Sequence, residues 1–451
     1  MLKYQGNGLS MKKLEDILNI PCRILCKEDT LIASFDGFLM RKEGKIVFRG
    51  RTSDDIKKLR GKQRLTLYGD VHATPITLLN ALIKSSSWTF GSEEYIVEID
   101  TSELIIGRSY TCGEDEIKVK KIAANITALN NMFSNRPVDL IYSFSKESPA
   151  LVNFTFPTTI DASDNQGTLS IYQTIGLGWT RDNVDIPIIP CIDYTFISPA
   201  SAREAIRKIV SVRNLFSFFS DYYIPLENIT FSDEQSDKEG FCDCSLFLNT
   251  YENIESPDRC FLISTDDFSE NFNVIWRKWC KFYSNKYIPT LFYEVICNRS
   301  SRINGFLNFA QAIEIYSNHY RNEEAYQLSN KEGWNEPRLK HRIKDIAIVL
   351  NDFLQLSPEE INSFSKSLSD ARNFFTHYDK GPKYTIPSAQ ELFAAGRVLH
   401  FMLLALVYKK ISLDNSAIEK AARLFSYGSL LNDIKIVLKQ TNMEQYDSMF
   451  E

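Results

Sequence analysis

The sequence has 451 residues, of which 44% are hydrophobic and 24% charged, and a formal net charge of −5. This composition excludes a wholly disordered chain, and the length allows two or three domains with separate cores. The net negative charge argues against indiscriminate binding of polyanions. Residues 1–5 contain no apolar export segment, and the longest apolar run, 398–408, is about half a membrane span. We therefore expect a cytoplasmic protein without a membrane segment.

Short apolar runs separated by Gly, Asp, Asn and Ser predict β-structure over most of residues 20–300. The predicted strands lie at 31–35, 45–48, 64–68, 95–99, 151–156, 168–172, 245–248 and 260–263. A helix is expected after Ser198-Pro199, where a serine that can cap a helix precedes a proline. This region is predicted to be β-rich with inserted helices.

Beyond about residue 301 the apolar residues follow helical spacing, as at Phe306, Phe309 and Ile313. Ser357-Pro358-Glu359-Glu360 combines a capping box with proline at the first helical position. It predicts a helix that reaches about residue 375, followed by helices at about 388–411 and 416–439. The predicted fold class is α+β, with a β-rich N-terminal region at 1–300 and an all-α bundle at 301–451.

Two other groups of residues have simpler interpretations than a binding site. Cys242, Cys244 and Cys260 are the closest approach to a metal group, but their spacing is not that of a zinc knuckle, which favours buried thiols. The basic stretch between Arg41 and Arg64 is more typical of solvated strand edges than of a nucleic-acid track. We expect neither a cofactor nor a bound metal.

The end of the helix that begins near residue 358 contains groups that can cleave RNA without a metal. It reads Arg372-Asn373-Phe374-Phe375-Thr376-His377. Arg372 is permanently cationic and can stabilise a crowded phosphate, whereas His377 can exchange protons near neutral pH. RNA supplies its own nucleophile, the 2′-hydroxyl, so the chemistry needs no carboxylate cluster.

Helical geometry constrains how these groups can act. Positions 372 and 377 are about 140° apart around an ideal helix, whereas 373 and 377 share a face. A two-fold dimer with paired helices would place two arginines and two histidines around one groove. Spacing alone leaves a simpler interpretation open, in which Arg372 pairs with Asp370 or Asp379 and His377 hydrogen-bonds at a helix end.

The Arg-Asn-x-x-x-His stretch near the end of a bundle helix resembles the Arg-x4-6-His motif of HEPN-domain ribonucleases. Residues 306–320, with Ala312-Ile313-Glu314, resemble the first HEPN helix and its acidic position. Residues 337–343 resemble the start of the second helix, and 392–408 the apolar helix that follows the motif. Upstream, Leu67-Tyr68-Gly69-Asp70 and residues 76–80 and 103–108 resemble the β-rich N-terminal domain of ApeA-type proteins.

The resemblance implies a bacterial anti-phage, abortive-infection protein. Its HEPN homodimer would cleave RNA when triggered and leave a 2′,3′-cyclic phosphate, and its N-terminal region would sense a phage-derived trigger or restrain the nuclease. By the same resemblance Arg372 and His377 are catalytic, Asn373 is their polar partner and Glu314 supports them.

Two alternatives remain open at this level. Asp100, Glu116 and Lys118 have the separation of a (D/E)-x-K site, which would make the chain a metal-dependent nuclease. A HEPN module that only binds RNA or a partner protein is the second alternative.

Overall fold

The structure is a computed structural model. It describes residues 14–28, 31–43, 45–54, 56–59, 64–88, 94–133, 138–141, 151–154, 159–175, 178–179, 184–185, 187–233, 244–248, 261–284, 287–298, 302–377, 388–426 and 430–439. Two compact units divide the chain. The first comprises Met1–Asn130, Asn135–Arg213 and Ile224–Ser256, and the second Asn131–Ser134, Asn214–Tyr223 and Pro257–Glu451. Helices of the second unit precede residue 301, and the predicted boundary near 300 stays a prediction.

The first unit is built from antiparallel strands, in agreement with the predicted β-rich region. The strands are β1 (Pro21–Glu28), β2 (Leu31–Lys42), β3 (Lys45–Thr52), β4 (Leu65–Val71), β5 (Thr74–Trp88), β6 (Tyr95–Asp100), β7 (Glu103–Ile106), β8 (Lys118–Asn125), β9 (Val138–Ile141), β10 (Leu151–Phe154), β11 (Ile160–Ser163), β12 (Gly167–Ile175), β13 (Gly178–Trp179), β14 (Val184–Asp185), β15 (Ile188–Ser201), β16 (Glu227–Asp233) and β17 (Cys244–Leu248).

Six of these strands close into a barrel. The order is β5-β4-β1-β2-β3-β6, and β6 pairs with both β3 and β5, so the sheet meets itself. Alternate residues point inward, which buries Phe35, Phe48 and Leu67 completely. Gly37 lies opposite Gly50, and a Cβ at Gly37 would come within 2.2 Å of the Arg49 carbonyl oxygen. Only glycine fits this close backbone approach.

The sheet continues beyond the barrel, because β5 is long enough to pair with β7 as well. From β7 the order runs through β17, β16, β8, β15 and β12 to β11. β15 leads directly into helix α1 (Ala202–Ser220), whose first half belongs to the same unit. Ala205 and Ile209 of α1 are buried. This extension is therefore a sheet with a helix attached, as the prediction of inserted helices requires.

Of two local predictions in this part of the chain, one was displaced by a few residues and one was wrong. The helix expected after Ser198-Pro199 is present but begins at Ala202, because β15 continues to Ser201 and Ser201 caps the helix. Ser201 Oγ accepts a hydrogen bond from the Glu204 amide at 3.3 Å, and the Glu204 carboxylate accepts from the Ser201 amide at 3.1 Å. Residues 261–263 form no strand, since the amides of Leu262 and Ile263 donate to the Phe219 carbonyl oxygen at the end of α1.

The second unit is helical, as predicted. Its further helices are α2 (Thr265–Phe268), α3 (Phe272–Tyr283), α4 (Tyr287–Asn298), α5 (Arg302–Tyr320), α6 (Asn322–Lys331), α7 (Leu339–Val349), α8 (Asn351–Leu354), α9 (Pro358–His377), α10 (Ala389–Ile411), α11 (Asn415–Ser426) and α12 (Leu430–Val437). Within the last predicted helix, 416–439, the structure describes helical residues at 415–426 and at 430–437. Residues 427–429 between them lie outside the described residues.

Helix α10 forms the centre of this unit. It packs on α5, where Phe306 lies 3.8 Å from the position that a Cβ on Gly396 would occupy. By length and composition α10 could cross a membrane, but 72% of its apolar window is buried within the structure. We therefore interpret α10 as the core helix of the bundle, as the sequence predicts for residues 398–408.

A half-buried carboxylate in the first unit makes its stability sensitive to pH. Burial raises the pKa of Glu103 to about 7, the Asn80 side-chain amide opposes this by donating to Glu103 at 2.8 Å, and repulsion from Glu114 adds to it. Arg203 forms a salt bridge with Glu114 and lowers the pKa of Glu103 from a greater distance. The folded chain therefore binds this proton more readily than the unfolded chain.

We expect the free energy of unfolding of the first unit to fall by roughly 2 kcal/mol between pH 5 and pH 8 through Glu103 alone. The stabilisation is present below the pKa of the unfolded chain and is lost as the pH rises through about 7. Glu103→Gln should remove this part of the pH dependence in denaturant titrations. The exposed Glu116→Gln is the matched control, and an unchanged pH slope in Glu103→Gln would contradict the assignment.

Candidate active site

Helix α9 positions the Arg372–His377 stretch. Its first turn is the predicted capping box, in which the Ser357 amide donates to the Glu360 carboxylate at 2.8 Å and the Glu360 amide donates to Ser357 Oγ at 3.2 Å. Phe364 and Leu368 are buried on its apolar face. The helix includes residue 377, so the stretch belongs to its last turns.

The Arg372 guanidinium lies between an acid on α5 and an amide on its own helix. Its Nη2 is 3.3 Å from Glu314 Oε2, and its Nη1 is 3.4 Å from Asn373 Oδ1. The side chains of Arg372 and Glu314 are 27% and 31% exposed, so solvent or a ligand can reach them. Three of the four predicted site residues, Glu314, Arg372 and Asn373, are thus brought together, although Glu314 and Arg372 are 58 positions apart along the chain.

The simpler interpretation, in which Arg372 pairs with Asp370, does not match this arrangement. Arg372 pairs with Glu314 instead, across two helices. Burial raises the pKa of the Asp370 carboxyl, and Lys366 and Lys340 oppose that shift from a distance. Asp379, the other predicted partner, lies outside the described residues.

A second arginine, which the sequence analysis did not select, is close enough to the same acid to feel its charge. Arg342 on α7 is 8% exposed and donates to Asn322 Oδ1 at 3.2 Å and to Ser317 Oγ at 3.4 Å. Burial lowers the pKa of its guanidinium, and the negative charge of Glu314 opposes this. The positive charges of Arg342 and Arg372 together exceed the single negative charge of Glu314.

The start of α7, which holds Arg342, is fixed by Glu332. Its carboxylate accepts from Lys340 at 2.7 Å and Lys344 at 2.9 Å, and lies 3.1 Å from His341 Nε2. The Lys340 hydrogen bond, with those of Lys344 and His341, lowers the pKa of Glu332 to about 2 although burial raises it. His341 Nδ1 also accepts from the Arg338 amide at 3.0 Å. This network anchors the first two turns of α7, which carry Arg342.

The predicted catalytic histidine is described only by its backbone. Residue 377 is the last residue of α9, and the placement of the His377 side chain lies outside the described residues. The other histidines occupy different surroundings: His72 and His319 are exposed, His341 belongs to the Glu332 network described above, and His400 Nε2 lies 2.6 Å from Asp221 Oδ1. The role of His377 stays a prediction.

The two alternative sites have little support in the described part of the chain. Asp100 forms a salt bridge with Lys84 at 3.6 Å, and Glu116 is exposed at a turn. No group of three or more His, Cys, Asp or Glu residues that could hold a metal occurs among the described residues. Cys244 is buried, whereas Cys242 and Cys260 lie outside the described residues.

Three residues of the basic stretch pair with nearby acids. Lys42 contacts Glu98 at 2.8 Å, and Arg51 lies 3.7 Å from Glu94. Arg41 lies 4.0 Å from Glu15. These pairs agree with the predicted interpretation of solvated strand edges, and Arg60 and Lys62 lie outside the described residues.

The cluster around Arg372 offers hydrogen-bond donors to an anion. Only two of the five guanidinium N–H donors of Arg372 are used by Glu314 and Asn373. The amide oxygen of Asn373 accepts from Arg372, and within the described residues its Nδ2 group makes no hydrogen bond. A phosphate could therefore accept hydrogen bonds from both Arg372 and Asn373, and the contact between Arg372 and Glu314 would remain.

Comparison with known protein families gives two matches along the chain. The model of ApeA N-terminal domain 1 matches residues 30–279, and the model of the Apea-like HEPN domain matches residues 307–417. Searches of curated proteins and of solved structures returned no significant match. The first model covers more than half of the chain, and the second contains Glu314, Arg372 and His377. The chain therefore belongs to the ApeA family of proteins with a C-terminal HEPN domain.

Proposed function

We propose that the chain is a metal-independent endoribonuclease whose active site forms when two HEPN domains dimerise. The observation that supports this most directly is the cluster of Arg372, Asn373 and Glu314 on the HEPN domain, in which Arg372 precedes His377 by five residues. HEPN domains generally act as dimers on RNA, and the Apea-like HEPN model matches this part of the chain.

The proposed reaction is attack of the RNA 2′-oxygen on the adjacent phosphorus. The P–O5′ bond breaks as the new P–O2′ bond forms, which leaves a 2′,3′-cyclic phosphate and a 5′-hydroxyl. Arg372 donates to the phosphate oxygens, where negative charge develops. His377 protonates the departing 5′-oxygen, and a second histidine removes the proton from the 2′-hydroxyl.

Dimerisation answers the geometric problem posed by one helix. Because positions 372 and 377 point about 140° apart, Arg372 and His377 of one chain do not face a single phosphate directly. Two α9 helices related by a two-fold axis bring Arg372 of one chain towards His377 of the other. Asn373, on the same face as His377, would orient the scissile phosphate.

Glu314 acts as a positioning residue in this proposal. It holds the Arg372 side chain against α5, which reduces the conformational freedom that Arg372 would lose on binding a phosphate. Arg342 keeps the neighbourhood positive, so the carboxylate does not repel RNA.

In the cell, the proposed role is anti-phage defence by abortive infection in the cytoplasm. Uncontrolled RNA cleavage would kill the host, so the nuclease would be latent until the β-rich region senses a phage-derived trigger. The match to ApeA N-terminal domain 1 supports this division of roles.

We expect the purified chain to cleave RNA in the presence of EDTA once an extract of phage-infected cells supplies the trigger, and to stay latent with an extract of uninfected cells. The reason is that Arg372 and His377 supply the charge and the protons that a metal ion would otherwise provide. Products should carry 3′ ends that resist enzymatic tailing until acid opens the cyclic phosphate and a phosphatase removes the resulting monophosphate. Cleavage that stops in EDTA and returns with Mg²⁺ would contradict the proposal. RNA binding without any cleavage, also in RNA from phage-infected cells, would favour the non-catalytic module.

A further inference from the structure

A basic groove with aromatic walls lies in the helical unit at the far end of α5. It has a volume of about 900 Å³. Its lining comes from the ends of three helices and the start of a fourth: Lys278, Lys281, Phe282, Ser284, Tyr287, His319, Tyr320 and Lys410. No acidic side chain is among these residues.

The three lysines of this groove repel one another and have no acidic partner within the part of the chain that the structure describes. Among the described residues, none of Lys278, Lys281 and Lys410 forms a salt bridge with an Asp or Glu. Lys278 donates to Ser412 Oγ, and the Lys410 ammonium lies 4.0 Å from the centre of the Tyr320 ring. Burial lowers the pKa of Lys410, and repulsion from Lys281 and Lys278 lowers it further, so the lysines act on one another.

The net field in the groove is positive in spite of the helix ends. The C-terminal ends of α3, α5 and α10 meet here, and each contributes roughly −0.5 of an elementary charge. The sum of about −1.5 is smaller than the three positive charges of the lysines. A helix-end role alone therefore does not account for the lysines, and the remaining charge favours an anionic ligand.

Aromatic side chains distinguish this groove from a simple anion site. Tyr287, at the start of α4, is 68% exposed, although exposing a large aromatic ring to water is unfavourable. Tyr320 forms another wall beside Lys410. Lysines for phosphates and aromatic rings for bases are the combination by which proteins bind single-stranded nucleic acid without sequence preference.

We propose that this groove binds single-stranded RNA and holds the substrate next to the Arg372 cluster. The inference rests on the proposed function, because it names the form of RNA that the same domain would cleave. Helix α5 connects the two places: His319 follows Glu314 by five residues, about 7.5 Å along the helix axis and about 140° around it. An RNA strand of a few nucleotides can span this separation.

The test measures RNA binding in the absence of cleavage. Full-length chain with His377→Ala is titrated into a fluorescent oligouridylate of about 12 nucleotides, at salt concentrations of about 50–200 mM. The groove variant is Lys281→Gln with Lys410→Gln. Its matched control is Lys331→Gln with Lys435→Gln, which removes the same charge from two exposed lysines elsewhere in the helical unit.

We expect the groove variant to bind the RNA at least about tenfold more weakly than the control. The slope of log affinity against log salt should fall by about 1.4, because two phosphate contacts are lost from a single strand. Tyr287→Ala should weaken binding by at least about fivefold without changing the salt slope, since it removes stacking and no charge. The substituted lysines and Tyr287 are exposed, so the fold should be kept, which thermal unfolding can check.

Three outcomes would overturn the inference. Equal affinity of the groove and control variants would exclude the lysines as the binding site. Displacement of the RNA by poly-glutamate at equal charge concentration would identify an acidic protein segment as the ligand. Displacement by inorganic polyphosphate at the same level would show that the bases contribute nothing. Loss of the proposed nuclease activity is a separate result, because these measurements need binding alone and are made without His377.

Discussion

Replacing His377 with alanine is expected to lower the rate of RNA cleavage by roughly 10²–10⁴-fold, the usual contribution of one general acid or base. The departing 5′-oxygen would leave without a proton donor, while Arg372 could still contact the phosphate. The rate of the chemical step is measured in single-turnover reactions with EDTA, in which the enzyme is in excess over the RNA. The affinity for RNA is measured separately and should change little.

The control for this substitution is His72→Asn. His72 is an exposed histidine of the barrel at a turn with positive φ, where asparagine is well tolerated. The substitution removes an imidazole from a residue that is distant from the HEPN domain in sequence and belongs to the other compact unit. Equal cleavage by the His377→Ala chain and the His72→Asn chain would show that His377 takes no part in the reaction.

Local patterns were sufficient to predict most of the elements. The Ser357-Pro358-Glu359-Glu360 box was found in the predicted place, because every contact that defines it lies within four residues. The start of α1 was missed, since two serines compete as caps and the sequence does not reveal that β15 continues past Pro199. The absence of a strand at 261–263 also depends on a contact that is distant in sequence. The amides of Leu262 and Ile263 donate to the Phe219 carbonyl oxygen.

Closure of the barrel could not be predicted from the residues. It depends on β5, whose fifteen residues pair with β4 and β7 in the first half and with β6 in the second. Apolar alternation identifies a strand and its inward face, but it does not name the neighbour on either side. The sequence therefore predicted a β-rich region but not its topology.

The candidate site was predictable in part for similar reasons. Arg372 and Asn373 are neighbours in sequence, and Glu314 was selected because of its place in a helix that resembles the first HEPN helix. Arg342 was missed. It lies next to Ile343 on the buried side of its helix, and an arginine is rarely buried unless it has hydrogen-bond partners. Its partners, Ser317 and Asn322, are 20 or more positions away, beyond the reach of any local pattern.

Replacing Arg372 is expected to lower cleavage by about 10²–10³-fold, comparable with the loss of one oxyanion-stabilising donor. Lysine should recover only part of this loss. Its ammonium is a point charge and cannot contact Glu314, Asn373 and a phosphate through separate donors as the planar guanidinium can. Cleavage rates and RNA affinities of Arg372→Ala and Arg372→Lys in EDTA check this ordering.

The contact between Glu314 and Arg372 allows a more specific test of the role of Arg372. If Glu314 acts only by positioning Arg372, Glu314→Gln should reduce cleavage in the wild-type chain and have no further effect in Arg372→Ala, which a double-mutant cycle measures. Arg423→Ala, on an exposed face of α11, is the matched loss of one arginine and should cleave normally. Additive losses would instead mean that Glu314 acts on the RNA or on His377 independently. A fully active Arg372→Ala chain would remove the guanidinium from the mechanism, and with it the reason why two α9 helices need to meet.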